Sequence, residues 1–262
     1  MLSIIGTPIG NLEDFSLRAA RTLLEVDVIL AEDTRSVRVL LERAKQIVQS
    51  TEYKEEILNR VPRDNRDRQD DTVNTDSERS QNDKKVEESQ KIISYYKEVE
   101  YQKLPQVMEW LAEGLHVALV SEAGMPVISD PGHLLVQTAQ KHHIPLTVIP
   151  GPSSIHTALV ASGVKFDHYQ FVGFLPKKEN ERTKLFEKLQ TMQENMGKIK
   201  LVFVAFESPE RVQATLAHLY SQYPDGKVVL CRELTKKFEE IIFQPSAENT
   251  YRGEIVLIVD FA

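Results

Sequence analysis

The sequence predicts an α/β protein of two domains, with an open sheet in each domain and a ligand cleft between the domains. Short apolar runs, such as residues 117–120, alternate with segments of helical periodicity, which is typical of α/β folds. Three of these runs lead into loops rich in Gly and Pro, and open α/β sheets bind ligands at such strand ends. After Gly163 the chain changes to longer strands around charged helices, so we predict domains at residues 1–163 and 164–262.

Composition excludes several classes of protein. The 262 residues carry a net charge of −7, which provides no overall attraction to nucleic acid, so an RNA contact requires a local basic patch. The single cysteine, Cys231, excludes an internal disulfide and a cysteine-based metal site. No apolar run is long enough for a membrane span, and the first residues form a strand-like run rather than a secretory signal. We therefore expect a cytoplasmic protein without a metal.

The elements of the first domain follow from periodicity and end signals. Ser16 is predicted to cap the first helix, Gly114 to end the third, and Asp130 with Pro131 to start the fourth. Strands are predicted at residues 2–5, 26–31, 117–120 and 146–149, and helices at 17–24, from the second strand to about 44, 105–113, 134–139 and 156–162.

A polar segment interrupts this pattern at about residues 46–91. Between Pro62 and Lys91 the only aliphatic side chains are Val73 and Val86. Such a segment cannot bury enough apolar surface to offset the entropy of ordering. We predict a charged insertion that is helical at its start, largely disordered, and most simply a solvated spacer.

The second domain is predicted to hold five strands and two helices. The strands are predicted at residues 171–175, 201–206, 228–234, 241–243 and 253–259, and the helices at 179–195 and 209–220.

Three Gly/Pro loops are the candidate binding elements. The central loop, residues 121–132, follows an apolar strand, and its glycines permit close backbone approach to a ligand. The first loop is residues 6–12. The third loop, residues 150–155, opens a helix with a serine pair, and the free N–H groups there suit a carboxylate or another polar ligand. Each loop taken alone is also an ordinary capped connection; their occurrence together favours a binding function.

Known motifs narrow the ligand only by exclusion. The chain contains no phosphate-binding P-loop motif, no dinucleotide fingerprint and no nucleophile elbow of the Gly-x-Ser-x-Gly type. A nicotinamide or flavin cofactor therefore has no support. From the residues alone, the chain is a two-domain α/β protein that binds a polar small molecule at strand ends.

Eight segments, in order, resemble one family. They are GTPIGNLED (6–14), AEDTR (31–35), ALVSEAG (118–124), ISDPG (128–132), PGPS (150–153), GFLPK (173–177), FESP (206–209) and RELTK (232–236). Together they are similar to the RsmI family, the ribosomal small-subunit RNA cytidine 2′-O-ribose methyltransferases of the tetrapyrrole methylase superfamily. The resemblance covers nearly all of the chain outside residues 46–91.

The resemblance implies S-adenosyl-L-methionine as the methyl donor, held at the three loops and at two strand ends of the second domain. The residues implied are Pro8, Ile9, Gly124, Met125, Ile128, Ser153, Ser154 and Ile155, with backbone groups near Phe206 and Leu234 for the adenine.

The same resemblance implies small-subunit ribosomal RNA as the partner and, by analogy with the superfamily, a homodimer. Candidate RNA contacts are Arg35, Lys177, Lys178, Arg182, Lys236 and Lys237. A base must remove the proton of the ribose hydroxyl, and Glu32, Asp33 and Glu207 are the candidates. The sequence does not choose among the three, and no metal is required.

Some positions depart from the family pattern. The central loop has Glu122 and Met125 where the family usually has Asp and Thr, and Met125 adds bulk beside the expected ligand. Residues 95–99 also depart from the usual pattern. Two alternatives stay open: a superfamily methylase with another acceptor, such as a tetrapyrrole or a protein side chain, and a degenerate module that binds cofactor or RNA without turnover.

Overall fold

The structure is a computed structural model that describes residues 1–60 and 90–261, with side chains described for 1–51 and 90–261. The chain divides into two compact units. The first unit comprises Met1–Pro8 and Leu12–Pro152, and the second comprises Ile9–Asn11 and Ser153–Ala262.

The described part of the first unit contains one parallel five-stranded sheet in the order β3-β2-β4-β1-β5. Its strands are β1 (Leu2–Ile5), β2 (Val28–Ala31), β3 (Lys91–Ser94), β4 (Val117–Val120) and β5 (Leu146–Ile149). Its helices are α1 (Leu17–Glu25), α2 (Thr34–Arg60), α3 (Glu100–Ala112) and α4 (His133–Lys141). Because the strands are parallel, the loops after β1, β2, β4 and β5 emerge at the same edge.

Helices cover both faces of this sheet, which is why β2 and β4 are apolar throughout. On one face Ile5, Ile29 and Val120 are buried with Leu23 of α1 and Val37 of α2. The other face is buried by a second cluster. Its members include Ile4, Leu30, Leu119, Tyr95, Trp110 of α3 and Leu135 of α4.

The predicted α/β class and the open sheet are confirmed, and several boundaries are corrected. Strand β3 was not predicted, and it pairs in parallel with β2. Helix α2 continues to Arg60, so the start of the predicted insertion is helical; residues 61–89 of that prediction lie outside the described residues. Helix α3 begins at Glu100 rather than Pro105, because the buried Glu100 carboxylate accepts hydrogen bonds from Tyr95 and from the backbone N–H of Leu135.

The predicted start of α4 is wrong. Gly132, with a φ of 117°, occupies the N-cap position, and the helix begins at His133. Glycine suits this position because its φ strains any residue with a Cβ, and a Cβ here would also meet Cδ2 of Leu119. Asp130 is left free of the helix end and turns toward the strand ends instead.

The described part of the second unit contains a mixed five-stranded sheet in the order β6-β7-β10-β8-β9, in which only β6 and β7 are parallel. Its strands are β6 (His168–Phe174), β7 (Leu201–Glu207), β8 (Lys227–Arg232), β9 (Glu240–Phe243) and β10 (Ile255–Asp260). Its helices are α5 (Ser154–Ser162), α6 (Glu179–Asn195) and α7 (Val212–Gln222).

Helix α5 and the segment Ile9–Asn11 complete one face of the second sheet. Ile155 and Leu159 of α5 are buried with Ile9 and with Val256 and Ile258 of β10. Helix α5 precedes the domain boundary predicted at 163/164, yet its apolar face belongs to this core. Helices α6 and α7 cover the opposite face.

Candidate functional site

The first and central loops are joined at the carboxyl end of the first sheet. Thr7 and Gly124 form an isolated antiparallel bridge, in which the N–H of Thr7 donates to the carbonyl of Gly124 at 2.9 Å and the return bond is 3.2 Å. The hydroxyls of Thr7 and Ser121 also donate to the Gly124 carbonyl, at 3.3 and 3.1 Å. These bonds fix the position of Gly124, a predicted donor-binding residue.

The third loop meets the first at a glycine contact. A Cβ on Gly6 would lie 2.6 Å from the backbone N of Gly151, and a Cβ on Gly151 would lie 2.7 Å from the carbonyl carbon of Gly6. Sδ of Met125 accepts a hydrogen bond from the Gly151 N–H at 3.3 Å. The bulk of Met125, a departure from the family pattern, therefore connects the central loop to the third loop.

The central loop has an unusual backbone. Val127 and Ser129 have φ values of 77° and 67°, and Gly124 and Gly132 are also left-handed. Positive φ is a clear outlier for a β-branched residue such as Val127, and such outliers persist where the surrounding structure over-determines them. The loop leaves Ile128, another predicted donor-binding residue, half exposed.

Carboxylates gather where β2 and β4 end side by side. From β2 the chain crosses to β3 on one side of the sheet, and from β4 it crosses to β5 on the other side. Such a reversal opens a crevice between the two strand ends, and α/β sheets bind ligands in crevices of this kind. Burial and then the charges of Glu122 and Glu98 raise the pKa of Glu32. Burial, with the charges of Glu32 and Glu122, raises the pKa of Asp130 to about 6, against the opposing effect of its hydrogen bond with Ser121.

Asp33 and Arg35 are paired with each other. The Asp33 carboxylate accepts the N–H of Arg35 at 2.8 Å and two guanidinium nitrogens at 2.9–3.1 Å. The hydrogen bonds with Arg35 hold the pKa of Asp33 below its usual value. Asp33 therefore caps α2 and pairs with the guanidinium of Arg35, which makes it a poorer proton acceptor than Glu32.

In the second unit, Ser153 occupies the N-cap position before α5, but its side chain makes no capping hydrogen bond. Its hydroxyl is 3.1 Å from Nδ1 of His156, whose Nε2 is 2.9 Å from the hydroxyl of Tyr169. Within the described residues, no acceptor meets the backbone N–H groups of Ser154, Ile155 and His156. Unfilled N–H groups at a helix N-terminus favour an anionic group, which agrees with the predicted role of the third loop.

The remaining residues predicted to bind the methyl donor differ in how far their side chains are exposed. The side chains of Ile9, Ile155 and Leu234 are buried in the second core, so only their backbone could reach a ligand. Leu234 lies between Glu233 and Thr235, which both have positive φ. The other two candidates are Pro8, which is buried in the first unit, and Phe206, which is half-buried in the second.

Glu207 is buried and already accepts four hydrogen bonds from its neighbours. Its fully buried carboxylate accepts the N–H of Ser208, two guanidinium nitrogens of Arg211 and the hydroxyl of Thr215, at 2.5–2.9 Å. A general base needs a lone pair directed at its substrate. The structure therefore gives Glu207 an anchoring role between β7 and α7.

The basic candidates also separate into occupied and available groups. Arg182 is 5% exposed, and its Nη1 donates to the carbonyl of Pro176. Lys236 bonds Glu233 and Glu254, at 3.2 and 3.1 Å. Lys178 is exposed but pairs with Glu181, Lys237 lies over the ring of Phe238, and Lys177 is exposed with no ion pair among the described residues.

Neither a metal site nor a membrane-spanning helix is found among the described residues. No group of three or more His, Cys, Asp or Glu side chains in residues 1–51 and 90–261 is arranged to hold a metal ion. Among the described helices, none combines the length and the apolar character needed to cross a membrane.

Comparison with known proteins identifies the family. The family model for Tetrapyrrole (Corrin/Porphyrin) Methylases matches residues 1–249. The chain belongs to the tetrapyrrole methylase family. Among curated tetrapyrrole methylases, the chain is 35% identical over 265 residues to ribosomal RNA small subunit methyltransferase I of Streptococcus pyogenes serotype M3, covering 98% of this chain and 75% of the relative. The protein of the same name from Thermotoga maritima is 36% identical over 239 residues, with coverage of 91% and 85%.

A solved tetrapyrrole methylase has the same fold. The uroporphyrin-III C-methyltransferase of Thermus thermophilus, determined with S-adenosylhomocysteine, has a TM-score of 0.56 at 13% identity, covering 99% of this chain and 96% of that chain. The predicted family resemblance and fold class are thus confirmed.

Three features of this tetrapyrrole methylase were missed from sequence. Asp130 was interpreted as a helix cap, although a carboxylate beside a strand end could have been noted as a site residue. The contact of His156 with Ser153 was detectable as an i, i+3 pair, but its contact with Tyr169 depends on tertiary structure. The third missed feature is the exposed ring of Phe174 at the end of β6. The preceding Gly173 could have indicated it, because a glycine inside a strand often marks a bulge.

Proposed function

We propose that this chain transfers a methyl group from S-adenosyl-L-methionine to the ribose 2′-hydroxyl of a cytidine in small-subunit ribosomal RNA. The observation that carries the proposal is the pair of relatives named ribosomal RNA small subunit methyltransferase I, which are 35–36% identical over at least 91% of the chain. A cytoplasmic location and a homodimer belong to the same proposal. Light scattering that returns a monomer would remove the dimer from it.

The three joined loops suit a zwitterionic nucleoside ligand. S-adenosyl-L-methionine supplies a reactive methyl group on a sulfonium. The groups proposed to hold it are the backbone at Pro8, Ile9 and Gly124, the side chains of Met125 and Ile128, and residues 153–155 at the free start of α5. Backbone near Phe206 and Leu234 would hold the adenine. The unfilled N–H groups of α5 support the fit, because the carboxylate of the donor needs such partners.

Glu32 is the proposed general base. What supports it over Asp33 and Glu207 is that its carboxylate makes no ion pair among the described residues and its pKa is raised, mainly by burial. A raised carboxylate pKa strengthens a base near neutral pH. Glu32 would accept the proton of the 2′-hydroxyl as the ribose oxygen bonds to the methyl carbon and the carbon–sulfur bond breaks, with S-adenosylhomocysteine leaving as a neutral thioether. Positioning of the two reactants supplies the rest of the catalysis.

The exposed lysines are the proposed RNA contacts. Lys177 has no ion pair among the described residues, and Lys178 and Lys237 make only one exposed contact each, with Glu181 and Phe238. Arg35, Lys236 and Arg182 are bonded to Asp33, to two glutamates and to the Pro176 carbonyl. We therefore expect the first three to contribute more to phosphate binding.

The first test separates donor binding from transfer. Calorimetric titration with S-adenosyl-L-methionine should give micromolar binding, and radiolabelled donor should methylate small subunits from cells that lack the modification. Glu32→Gln should lower kcat by about 100-fold, the usual size of a general-base effect, with unchanged donor affinity. Glu42→Gln, a surface carboxylate on α2, is the matched control and should behave as the unaltered protein.

Each negative result has a distinct meaning. Donor binding without transfer to ribosomal subunits would favour another acceptor or a non-catalytic binding module. Absence of donor binding would contradict the methyltransferase proposal as a whole.

A further inference from the structure

An exposed phenylalanine ends β6, at the edge of the second sheet. The side chain of Phe174 is 60% exposed, although the chain around it enters the core again at Leu175, which is 2% exposed. A single exposed apolar side chain is common on protein surfaces, so the backbone geometry and the neighbours of Phe174 decide whether it is a candidate binding residue.

A β-bulge places this ring on the same face of the sheet as Phe171. Phe171 pairs with Val204 and Phe174 pairs with Phe206, so three steps along β6 match two steps along β7. In a regular strand, residues 171 and 174 would point to opposite faces. The extra residue, with Gly173 at a φ of 72°, brings both rings to the same face, as bulges near functional sites do.

The ring packs against a row of aromatic side chains. Phe206 contacts Phe171 on one side, with ring centroids 4.9 Å apart, and Phe174 on the other, with centroids 5.3 Å apart, both edge to face. Phe171 and Phe206 pack in turn against the second core. Phe174 therefore loses little freedom when a ligand covers its open face, which makes it a pre-organised contact.

Two exposed lysines follow Phe174 in the sequence. Lys177, three residues further along, has no ion pair among the described residues, whereas Lys178 is 80% exposed and paired with Glu181. A single open ring beside unpaired lysine charge matches one base and its phosphate, whereas a protein interface would require a broader apolar area.

We propose that Phe174 is a stacking platform for an unpaired base of a single-stranded ribonucleotide, with Lys177 binding the adjacent phosphate. The inference rests on the proposed function and specifies the RNA side of that site. Proteins that read single-stranded RNA stack bases on aromatic rings, and the stacking accepts any base. Phe174 would thus hold the strand while other groups select the nucleotide.

The test measures binding of two fluorescein-labelled strands by anisotropy: a short single-stranded RNA and the same ribose-phosphate strand without bases. Phe174→Ala should weaken binding of the RNA about tenfold and leave binding of the abasic strand unchanged. Phe174→Trp should retain affinity and Phe174→Leu should not. Phe243→Ala is the matched control, since Phe243 is 62% exposed in the same sheet, and it should affect neither strand.

Lys177→Ala should weaken binding of both strands equally and reduce the salt dependence of binding, because it removes a phosphate contact.

Equal loss of binding of both strands in Phe174→Ala would overturn the proposal. A loss of S-adenosyl-L-methionine affinity instead would assign the ring to the donor pocket, and a change in mass by light scattering would assign it to an interface between copies. Failure of the unaltered protein to bind RNA would also overturn it, while calorimetric donor binding would show that the donor half of the proposed function survives.

Discussion

Asp130 shows how one residue combines burial with charge at this site. Its carboxyl is half-buried beside Glu32 and Glu122, and its pKa is raised to about 6. The folded protein therefore binds a proton at Asp130 that the unfolded chain has already lost between about pH 4 and pH 6. Stability falls as pH rises wherever the folded state binds more protons.

Asp130→Asn should remove this component of the pH dependence. We expect the unaltered protein to lose stability from about pH 4 to about pH 6, and the variant to show a flatter profile. Above that window the variant should be more stable by roughly 1 kcal/mol, because solvent screens part of the full effect. Urea unfolding across the window measures both. Asp225→Asn, at an exposed aspartate, should keep the original slope; an unchanged slope in Asp130→Asn would contradict the interpretation.

At the scale of elements, the sequence was most informative where a periodic pattern met a local end signal. The bounds of β4, β5 and α6 agree with prediction, because each is a complete apolar run or a complete helical pattern. Tertiary contacts determined the rest. The start of α3 depends on the buried Glu100, and the start of α4 depends on the space beside Leu119.

The candidate site divides in the same way. Gly/Pro loops at strand ends were visible in the sequence, and the structure joins them at Thr7 and Gly124. What the sequence lacked was the pairing of the charged groups. Asp33, Glu207 and Lys236 are polar residues in suggestive segments, but only coordinates show that each is already bonded to neighbours.

Glu207 provides a prediction at this scale, since it connects β7 to α7. Glu207→Gln should lower the free energy of unfolding by about 2 kcal/mol, because charged hydrogen bonds to Arg211 and Thr215 become neutral. Glu181→Gln, in an exposed pair with Lys178, should cost less than about 0.5 kcal/mol. Denaturant titration measures both. A folded, fully stable Glu207→Gln without methyl transfer would instead make Glu207 the base.

At the scale of the whole molecule, each unit has its own core, and Ile9 belongs to the core of the second. Ile9 is 4% exposed among residues of α5, β8 and β10. Ile9→Ala should therefore destabilise the second unit by about 2–4 kcal/mol, the usual cost of a large cavity. Ile199→Ala, at a side chain 43% exposed, is the control and should cost well under half as much. A neutral effect of Ile9→Ala would show that residues 9–11 are dispensable to that core.

The place of Ile9 has a consequence for synthesis. The chain enters the second unit at Ile9, leaves it after Asn11 and returns only at Ser153. The partners of Ile9 include β10, which is the central strand of its sheet and the last to be translated. At ~5–20 residues per second, Ile9 leaves the ribosome on the order of ten seconds before those partners exist. Residues 9–11 are thus among the last segments of this core to reach their native environment, because they wait for β10.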